Sequence, residues 1–316
     1  MPQVSIIVYV KNISCFLPRC LDSIVNQTLR DTEIIVFEDG STDDSPAICD
    51  DYGAKYDNVN VIHTENRGLP YAYDTAVSMA RGRYVLFVKS DDFIAPNTCE
   101  IMYENANRHD SDIVKCGIVQ YSERDGKMLA LNWERWILSE VAAQDTPFAL
   151  TDHKILLTYH GAVWGTLFKS DFIRTLKFSE GCGNCFQEYA FIIKSMICAK
   201  RISVVLDELY FWNIDPTDFL NPRGNPVLLQ SMEPFVASKK WMLEKGCFEE
   251  YIPEFYKAVM LITMGFYEYI SDDLKPEYFK VLQQFYSDMN MFVFPRVTSL
   301  FSRTQVQFLI DIMKDN

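Results

Sequence analysis

The chain has 316 residues, 48% of them hydrophobic and 14% aromatic, enough to bury a substantial core in one large domain or two small ones and too apolar for a disordered chain. Its formal charge of −13 excludes a general nucleic-acid binder, which needs a basic face, while leaving room for a local basic pocket that takes a diphosphate. Nine cysteines, an odd number without disulfide-framework spacing, fit a reducing, cytoplasmic setting.

Taken in chain order, residues 4–8 read as a buried strand whose polar end is Asn12. Ser14 is the expected N-cap of a helix over 14–26, with Phe16, Leu17, Cys20, Leu21, Ile24 and Val25 as its apolar stripe. Residues 33–37 form a second strand, and Ser45-Pro46 opens a second helix, proline being tolerated in the first turn. A strand over 59–63, a helix over 70–79 and a strand over 84–88 follow. This βαβα rhythm predicts a parallel sheet with right-handed crossovers. Beyond it come a helix over 97–107 and a strand over 113–119, then a polar, irregular tract over 121–146 holding Trp133 and Trp136. Residues 155–158 read as helical, 163–168 as extended, 186–198 as helical, and 202–205 and 209–212 as two short strands. A break between Asp215-Pro216 and Asn225-Pro226 leads into helices over 228–245, 255–270, 277–289 and 304–313. The strand starting at Val4 predicts no signal peptide, and no apolar run reaches the roughly 18 residues of a membrane span. The patch Phe292-Val293-Phe294-Pro295-Arg296 suits either burial against a neighbouring helix or peripheral contact with a bilayer.

Three buried strands therefore release polar, mostly acidic groups at their C-terminal ends: Asn12, the run Glu38-Asp39-Gly40-Ser41-Thr42-Asp43, and Lys89-Ser90-Asp91-Asp92. In open α/β sheets, ligands bind in the crevice beyond such ends. Acids there suit a nucleotide's base and ribose, or a cation bridging its phosphates. A dehydrogenase of Rossmann type is set aside, because no G-x-G-x-x-G follows the first strand. Cys182-Gly183-Asn184-Cys185 is a lone CxxC; a closed zinc site needs four ligands, so it reads as two incidental thiols.

Leu21-Asp22-Ser23-Ile24, Gln27-Thr28, the acidic run 38–43, Glu65-Asn66-Arg67-Gly68, Ala80-Arg81-Gly82-Arg83-Tyr84 and Ser90-Asp91-Asp92, in this order and spacing, resemble glycosyltransferase family 2. These are the inverting sugar transferases of GT-A fold. The resemblance implies an α/β fold whose mostly parallel sheet is flanked by helices. It would occupy 1–215, with a nucleotide-sugar half over 1–105, an acceptor half over 106–215 and a C-terminal helical extension over 216–316. The implied reaction moves a sugar from a nucleoside diphosphate, a UDP-sugar foremost, to a glycan or lipid-linked acceptor in capsule or exopolysaccharide synthesis. The implied place is the cytoplasm or the inner face of the membrane, with homo- or hetero-oligomers both open.

The resemblance also assigns residues. Asp39 would accept a hydrogen bond from the base, the bland reading being ordinary Asp-Gly-Ser turn chemistry. Glu38, Tyr9, Lys11 and Asn12 would belong to the same loop cluster, with Tyr9 and Lys11 standing where proline and tyrosine are usual. Ser90 and Asp91 would hold the ribose and diphosphate, and Asp91 and Asp92 an Mg²⁺ or Mn²⁺ ion, both of which prefer oxygen ligands. Lys89 replaces the first acid of the family's Asp-x-Asp-Asp run, so it either swings aside for a metal, substitutes for the metal, or inactivates the site. Arg67, before the third helix, reads equally as a phosphate contact or an exposed loop arginine. Glu188, in Phe186-Gln187-Glu188-Tyr189-Ala190-Phe191, falls on the family's general base, against the bland reading of an acid in a helix's first turn. Trp164, in Trp164-Gly165-Thr166-Leu167, would line the acceptor groove, while Thr166 replaces the family's lysine there. Departures cluster at Tyr9, Lys11, Asp74, Lys89, Thr166 and Gln187. That pattern also fits a catalytically degenerate relative serving as a partner subunit or nucleotide-binding regulator.

Overall fold

The computed structural model describes residues 1–122, 127–130, 132–142, 145–159, 163–178, 187–214, 224–287, 289 and 292–314. The first part alternates as expected: β1 (Val4–Val10), α1 (Leu17–Val25), β2 (Thr32–Glu38), α2 (Ser45–Lys55), β3 (Val59–His63), α3 (Leu69–Met79) and β4 (Tyr84–Lys89). Next come β5 (Phe93–Ile94), α4 (Thr98–His109), β6 (Ile113–Ser122), β7 (Lys127–Ala130), α5 (Asn132–Ala142), β8 (Thr166–Lys169), α6 (Ser170–Ile173), α7 (Gln187–Cys198) and β9 (Ile202–Asn213). The C-terminal part is helical, with α8 (Glu233–Glu244), α9 (Ile252–Tyr269), α10 (Lys275–Tyr286), α11 (Phe294–Thr298) and α12 (Arg303–Met313).

One sheet runs β3-β2-β1-β4-β8-β6-β9-β5, with β7 on β6. β1 to β4 pair in parallel, β8 runs antiparallel to both β4 and β6, and β6 and β9 are again parallel. Of the four parallel strands, β1, β2 and β4 are buried on both faces, which is why they read as largely apolar runs, while β3 lies at the edge with Asn60 and His63 exposed. By contacts the chain divides into two compact units. The first is 1–156, 162–180 and 195–215; the second is 157–161, 181–194 and 216–316. In the second, Tyr256 of α9 packs on Phe285 and Tyr286 of α10 at ring distances of 6.0 and 5.8 Å.

Register fixes what each strand end presents. Tyr9 pairs with Phe37 on one side and Lys89 on the other, so the three side chains share a face of the sheet. That face carries α3, whose Tyr73 lies 6.4 Å from Tyr9 and 4.6 Å from Phe87. Asp39, two residues beyond Phe37, leaves on the same side; Glu38 leaves on the other.

Several motifs turn out to build the scaffold. The buried Glu33 carboxylate accepts from Ser5 Oγ at 2.5 Å, Arg81 Nε at 2.8 Å, Gly82 N at 3.0 Å and the Arg81 amide. Gly82 is obligatory, since a Cβ there would lie 2.5 Å from Ser5 N. Gln27 donates to the Ala95 carbonyl and accepts from the Cys99 amide, tying the end of α1 to the start of α4.

Some expectations need correction. The first helix starts at Leu17, not at Ser14, because the Ser14 amide is turned to Asp43 and Pro18 sets the first turn. Within the tract expected to be irregular, the described residues form the β6–β7 pairing and α5, whose Ile137, Leu138 and Val141 are buried at helical spacing. The two short strands after residue 201 are one strand, β9, whose register against β6 shifts between Lys115 and Ile118 while 206–208 lie exposed. The helix expected over 228–245 is a 3-10 turn, Pro226–Met232, followed by α8 with Pro234 in its first turn. Phe292 is 80% exposed, so it is not buried against a neighbouring helix. Among the described residues no helix is long and apolar enough to cross a membrane. The CxxC pair lies outside the described residues, as do Phe186 and the side chains of Trp133 and Gln187.

Candidate functional site

The loops after β1, β2 and β3 meet beyond the C-terminal edge of the parallel strands, where β4 ends at Lys89 in register with Tyr9. Asp39 is their hub. Its carboxylate is buried and accepts from Thr64 Oγ1 at 2.5 Å, Arg67 N at 2.7 Å, Gly68 N at 2.7 Å and Tyr9 Oη at 3.1 Å. A carboxylate has about four lone-pair sites, so this one is filled by the protein. Burial alone would raise its pKa, but the donors outweigh burial and hold it below the ordinary carboxylate value. Burial, with the Asp39 charge beside it, pushes the Tyr9 phenol well above its usual range. Asp39 therefore braces loop 64–68 in this structure. Gly40 turns the chain away at φ +70°, where a Cβ would also meet Thr64 O at 3.0 Å.

Lys11 and Asn12 join the same wall. Lys11 Nζ donates to the carbonyl oxygens of Asp39 and Gly40 at 2.7 and 2.6 Å, which commits the ammonium to the loop backbone and away from a phosphate. Asn12 N donates to Ser41 Oγ at 2.9 Å, and its Oδ1 accepts from Thr42 N at 2.7 Å. Glu38 is not brought together with these. On the opposite face its carboxylate accepts from Ser41 N at 2.6 Å and meets His63 Nδ1 at 3.0 Å, while His63 Nε2 meets Asp50 at 2.9 Å. Glu38 so ties β2 to β3 and α2.

At the end of β4, Lys89 Nζ lies 3.3 Å from each Asp91 oxygen and 6.0 Å from the centre of the Trp164 ring. Ser90 is half-buried in the turn that follows. Asp91 is nearly buried, and its backbone oxygen accepts from Arg19 Nη2 at 3.1 Å. Asp92 is fully buried, accepting from Tyr210 Oη at 2.6 Å and Asn213 N at 2.8 Å. Burial pushes its carboxyl up to about 7, against the opposing pull of Lys89. Both Asp92 oxygens thus help pin the end of β4 to β9.

Among the described residues the protein offers a resident Mg²⁺ or Mn²⁺ few ligands of its own. Among the described residues no group of three or more His, Cys, Asp or Glu is placed to hold a metal. Asp91 is one oxygen ligand at this edge, and an ammonium already sits against both its oxygens. A divalent ion on that carboxylate would lie about 4 Å from the ammonium, a repulsion of about 8 kcal/mol at an effective dielectric of ~20, before solvent and side-chain motion reduce it.

The other expected residues are dispersed. Arg67 is exposed, its guanidinium 4.0 Å over the Tyr71 ring, and only its backbone enters the Asp39 network. Trp164 is 4% exposed, stacked on Tyr210 at 5.0 Å and tilted against Trp212 at 5.5 Å, so it is core packing and offers no open ring to an acceptor. Half-buried Trp212 is the more accessible of the two. Glu188 lies half-buried in the first turn of α7, in the part assigned to the second unit. Asp74 accepts from Phe178 N at 2.9 Å and so anchors the segment after α6.

Sequence reasoning passed over Lys115. It is buried, and its Nζ donates to Thr166 Oγ1 at 3.0 Å, its register partner on β8. The signal was present, since Lys115 is the charged residue inside the otherwise apolar run 113–119. A cation thus sits beside position 166, supplied by the neighbouring strand. Register through β8 and β4 puts Lys115 on the same face as Phe87 and Lys89.

A mixed α/β sheet whose parallel edge carries Asp39, Lys89 and Asp91 fits a nucleotide-diphosphate-sugar transferase fold of GT-A type. The S. aureus TarS fragment 1–349, in complex with UDP-GlcNAc, matches 99% of this chain and 89% of its own at a TM-score of 0.75 and 20% identity, a likeness of fold. The family model "Glycosyl transferase family 2" matches residues 5–163. The uncharacterized glycosyltransferase EpsJ of Bacillus subtilis (strain 168) is 40% identical over 241 residues, spanning 76% of this chain and 69% of EpsJ. Glycosyltransferase GlyG of Streptococcus pneumoniae serotype 4 is 29% identical over 212 residues, spanning 66% and 70%. The chain belongs to glycosyl transferase family 2.

Proposed function

We propose that the protein transfers a sugar from a UDP-sugar to a hydroxyl of a glycan or lipid-linked acceptor, with inversion, in cell-surface polysaccharide synthesis at the cytoplasmic side of the membrane. The observation that carries this reading is the convergence of the loops after β1, β2 and β3, with the end of β4, on one edge of the sheet. Asp39 organises one side of it, and Lys89 with Asp91 the other. Membership of the family supports transfer as the reaction, and the UDP-GlcNAc complex of TarS supports a UDP donor.

In this reading Tyr9 and Asn12 border the base, and Ser90 and Asp91 border the ribose and diphosphate. Arg67, exposed at the start of α3, reaches the phosphates, where the helix N-terminus adds a favourable field. The acceptor oxygen attacks the anomeric carbon opposite the leaving group, and the bond from that carbon to the phosphate oxygen breaks. Its electron pair departs with UDP, and the acceptor's proton passes to a general base, the role that the family resemblance gives Glu188. No step is routed through a metal.

The test is UDP release from a panel of UDP-Glc, UDP-Gal, UDP-GlcNAc and UDP-GalNAc, with GDP-mannose as control and bacterial surface glycans as acceptors. Acceptor-stimulated consumption of one UDP-sugar is expected. Binding of UDP without turnover of any donor would instead support the degenerate partner or regulator.

A further inference from the structure

We propose that a second copy of this chain docks on the groove between α8 and α10, as a two-fold dimer in which α8 lies antiparallel on its partner's α8. The inference goes beyond the transferase reading and does not depend on it. The groove has a volume of about 1040 Å³ and lies within the C-terminal helices. Leu229, Met232, Val236, Leu243, Val281 and Phe285 give it its apolar lining. Val236 is 53% exposed and Leu243 57%, on a helix whose other face is already buried through Phe235, Ser238 and Met242. Helix α8 thus carries apolar residues on two faces, where a surface helix keeps one. Single exposed apolar side chains are ordinary, but a continuous groove of them marks a docking surface.

The charges on the open face identify the occupant. Val236 and Leu243 lie two turns apart on one line along the helix, and Glu233 and Lys240 two turns apart on a neighbouring line. The midpoint between Glu233 and Lys240 falls between Val236 and Ala237. A two-fold axis through that point sets Glu233 against the partner's Lys240, and Lys240 against the partner's Glu233. Val236 then meets the partner's Ala237 at the centre, where the small side chain lets the helices approach closely. The same axis carries Leu243 toward the partner's Leu229, in the turn that lines the groove. One patch therefore supplies both the ridge and the hollow that receives it, as an isologous interface requires. Within one chain Lys240 lies 4.0 Å from Glu244, both exposed, a pair that is weak in water and that a partner's acid can replace. Lys239, the other lysine of the lining, is turned to Tyr256 Oη at 2.9 Å and leaves this contact to Lys240.

The test is sedimentation equilibrium of the intact chain from about 1 to about 200 µM, since the dimer fraction depends on protomer concentration. Wild type is expected to be dimeric at the upper end. Lys240→Glu sets acid against acid at both contacts, and Glu233→Lys sets cation against cation, so each should weaken self-association by about tenfold or more. An equimolar mixture of these two variants restores both opposite-charge contacts and should recover a dimer with one copy of each. Val236→Asp, at the axis, should weaken wild-type association as well. All three positions are exposed, so the fold should hold, which thermal unfolding checks. Wild type that stays monomeric throughout would overturn the inference, and binding of phosphatidylcholine vesicles by that monomer would give the groove to an acyl chain. A dimer that Lys240→Glu or Glu233→Lys leaves as tight as wild type would also overturn it, as would a mixture that associates no better than its components. None of these readings involves UDP, so failure here leaves the transferase reading standing.

Discussion

Substituting Asp39 by asparagine separates a brace from a ligand contact. The native carboxylate accepts from two backbone amides, Arg67 N and Gly68 N, and from the hydroxyls of Thr64 and Tyr9. An asparagine keeps one accepting oxygen and turns an NH₂ group, a donor, toward the other pair. The hydroxyls can rotate or find water, but at least one backbone amide loses its charged acceptor. At about 1–3 kcal/mol for each lost charge-assisted bond, the total is about 2–4 kcal/mol. For a domain of this size that lowers Tm by roughly 5–15 °C. The assay is thermal unfolding of Asp39→Asn beside wild type, with hydrogen exchange followed at residues 64–68. The account expects a lower Tm and faster exchange at the 67 and 68 amides in protein without nucleotide. An unchanged Tm and unchanged exchange, with UDP affinity lost, would refute the brace and make Asp39 a direct ligand contact.

Three further outcomes follow from the same geometry. Gly82→Ala places a Cβ 2.5 Å from Ser5 N and 2.8 Å from Val4 C, so backbone must move; the expected loss is about 1–3 kcal/mol in denaturant unfolding, and an unchanged midpoint would contradict the packing. The buried Asp92 carboxyl, pushed from its ordinary 3.8 to about 7, keeps in the native state a proton that the unfolded chain has released between those values. Wild-type stability should therefore fall as pH rises through that window, and Asp92→Asn should flatten the fall in Tm between pH 5 and 8; parallel profiles would show that Asp92 does not titrate there. Glu188→Gln should cut transfer by about 10²–10⁴-fold with UDP affinity unchanged, as expected for a general base, whereas full activity would move the base to another residue.

Much of the frame is legible in the sequence because the parallel strands β1, β2 and β4 are buried on both faces. Val4, Ile6, Ile7 and Val8 need no partner to be recognised as strand, and the polar residues that follow mark the edge where ligands bind. Strand direction is another matter: nothing local to 166–169 records that β8 runs against β4 and β6. Helix α5 escaped notice because its buried Ile137, Leu138 and Val141 are set among exposed polar neighbours. The bulge residues Asp207 and Glu208 made β9 look like two strands.

At this edge of the sheet, the positions of Asp39, Lys89 and Asp91 could be read from strand ends, while their partners could not. Asp39 is saturated by groups from 25 to 30 residues away in sequence, and Asp92 by groups about 120 away. Only the split between Glu38 and Asp39 was available in principle, because consecutive strand residues point to opposite faces.

The most direct measurement is a crystal structure of the chain soaked with UDP-GlcNAc. The account predicts nucleotide density between loops 9–12, 39–41, 64–68 and 89–91, with the diphosphate beside Ser90 and Asp91. Nucleotide bound elsewhere on the chain, with these loops unvisited, would contradict the assignment of this sheet edge as the donor site.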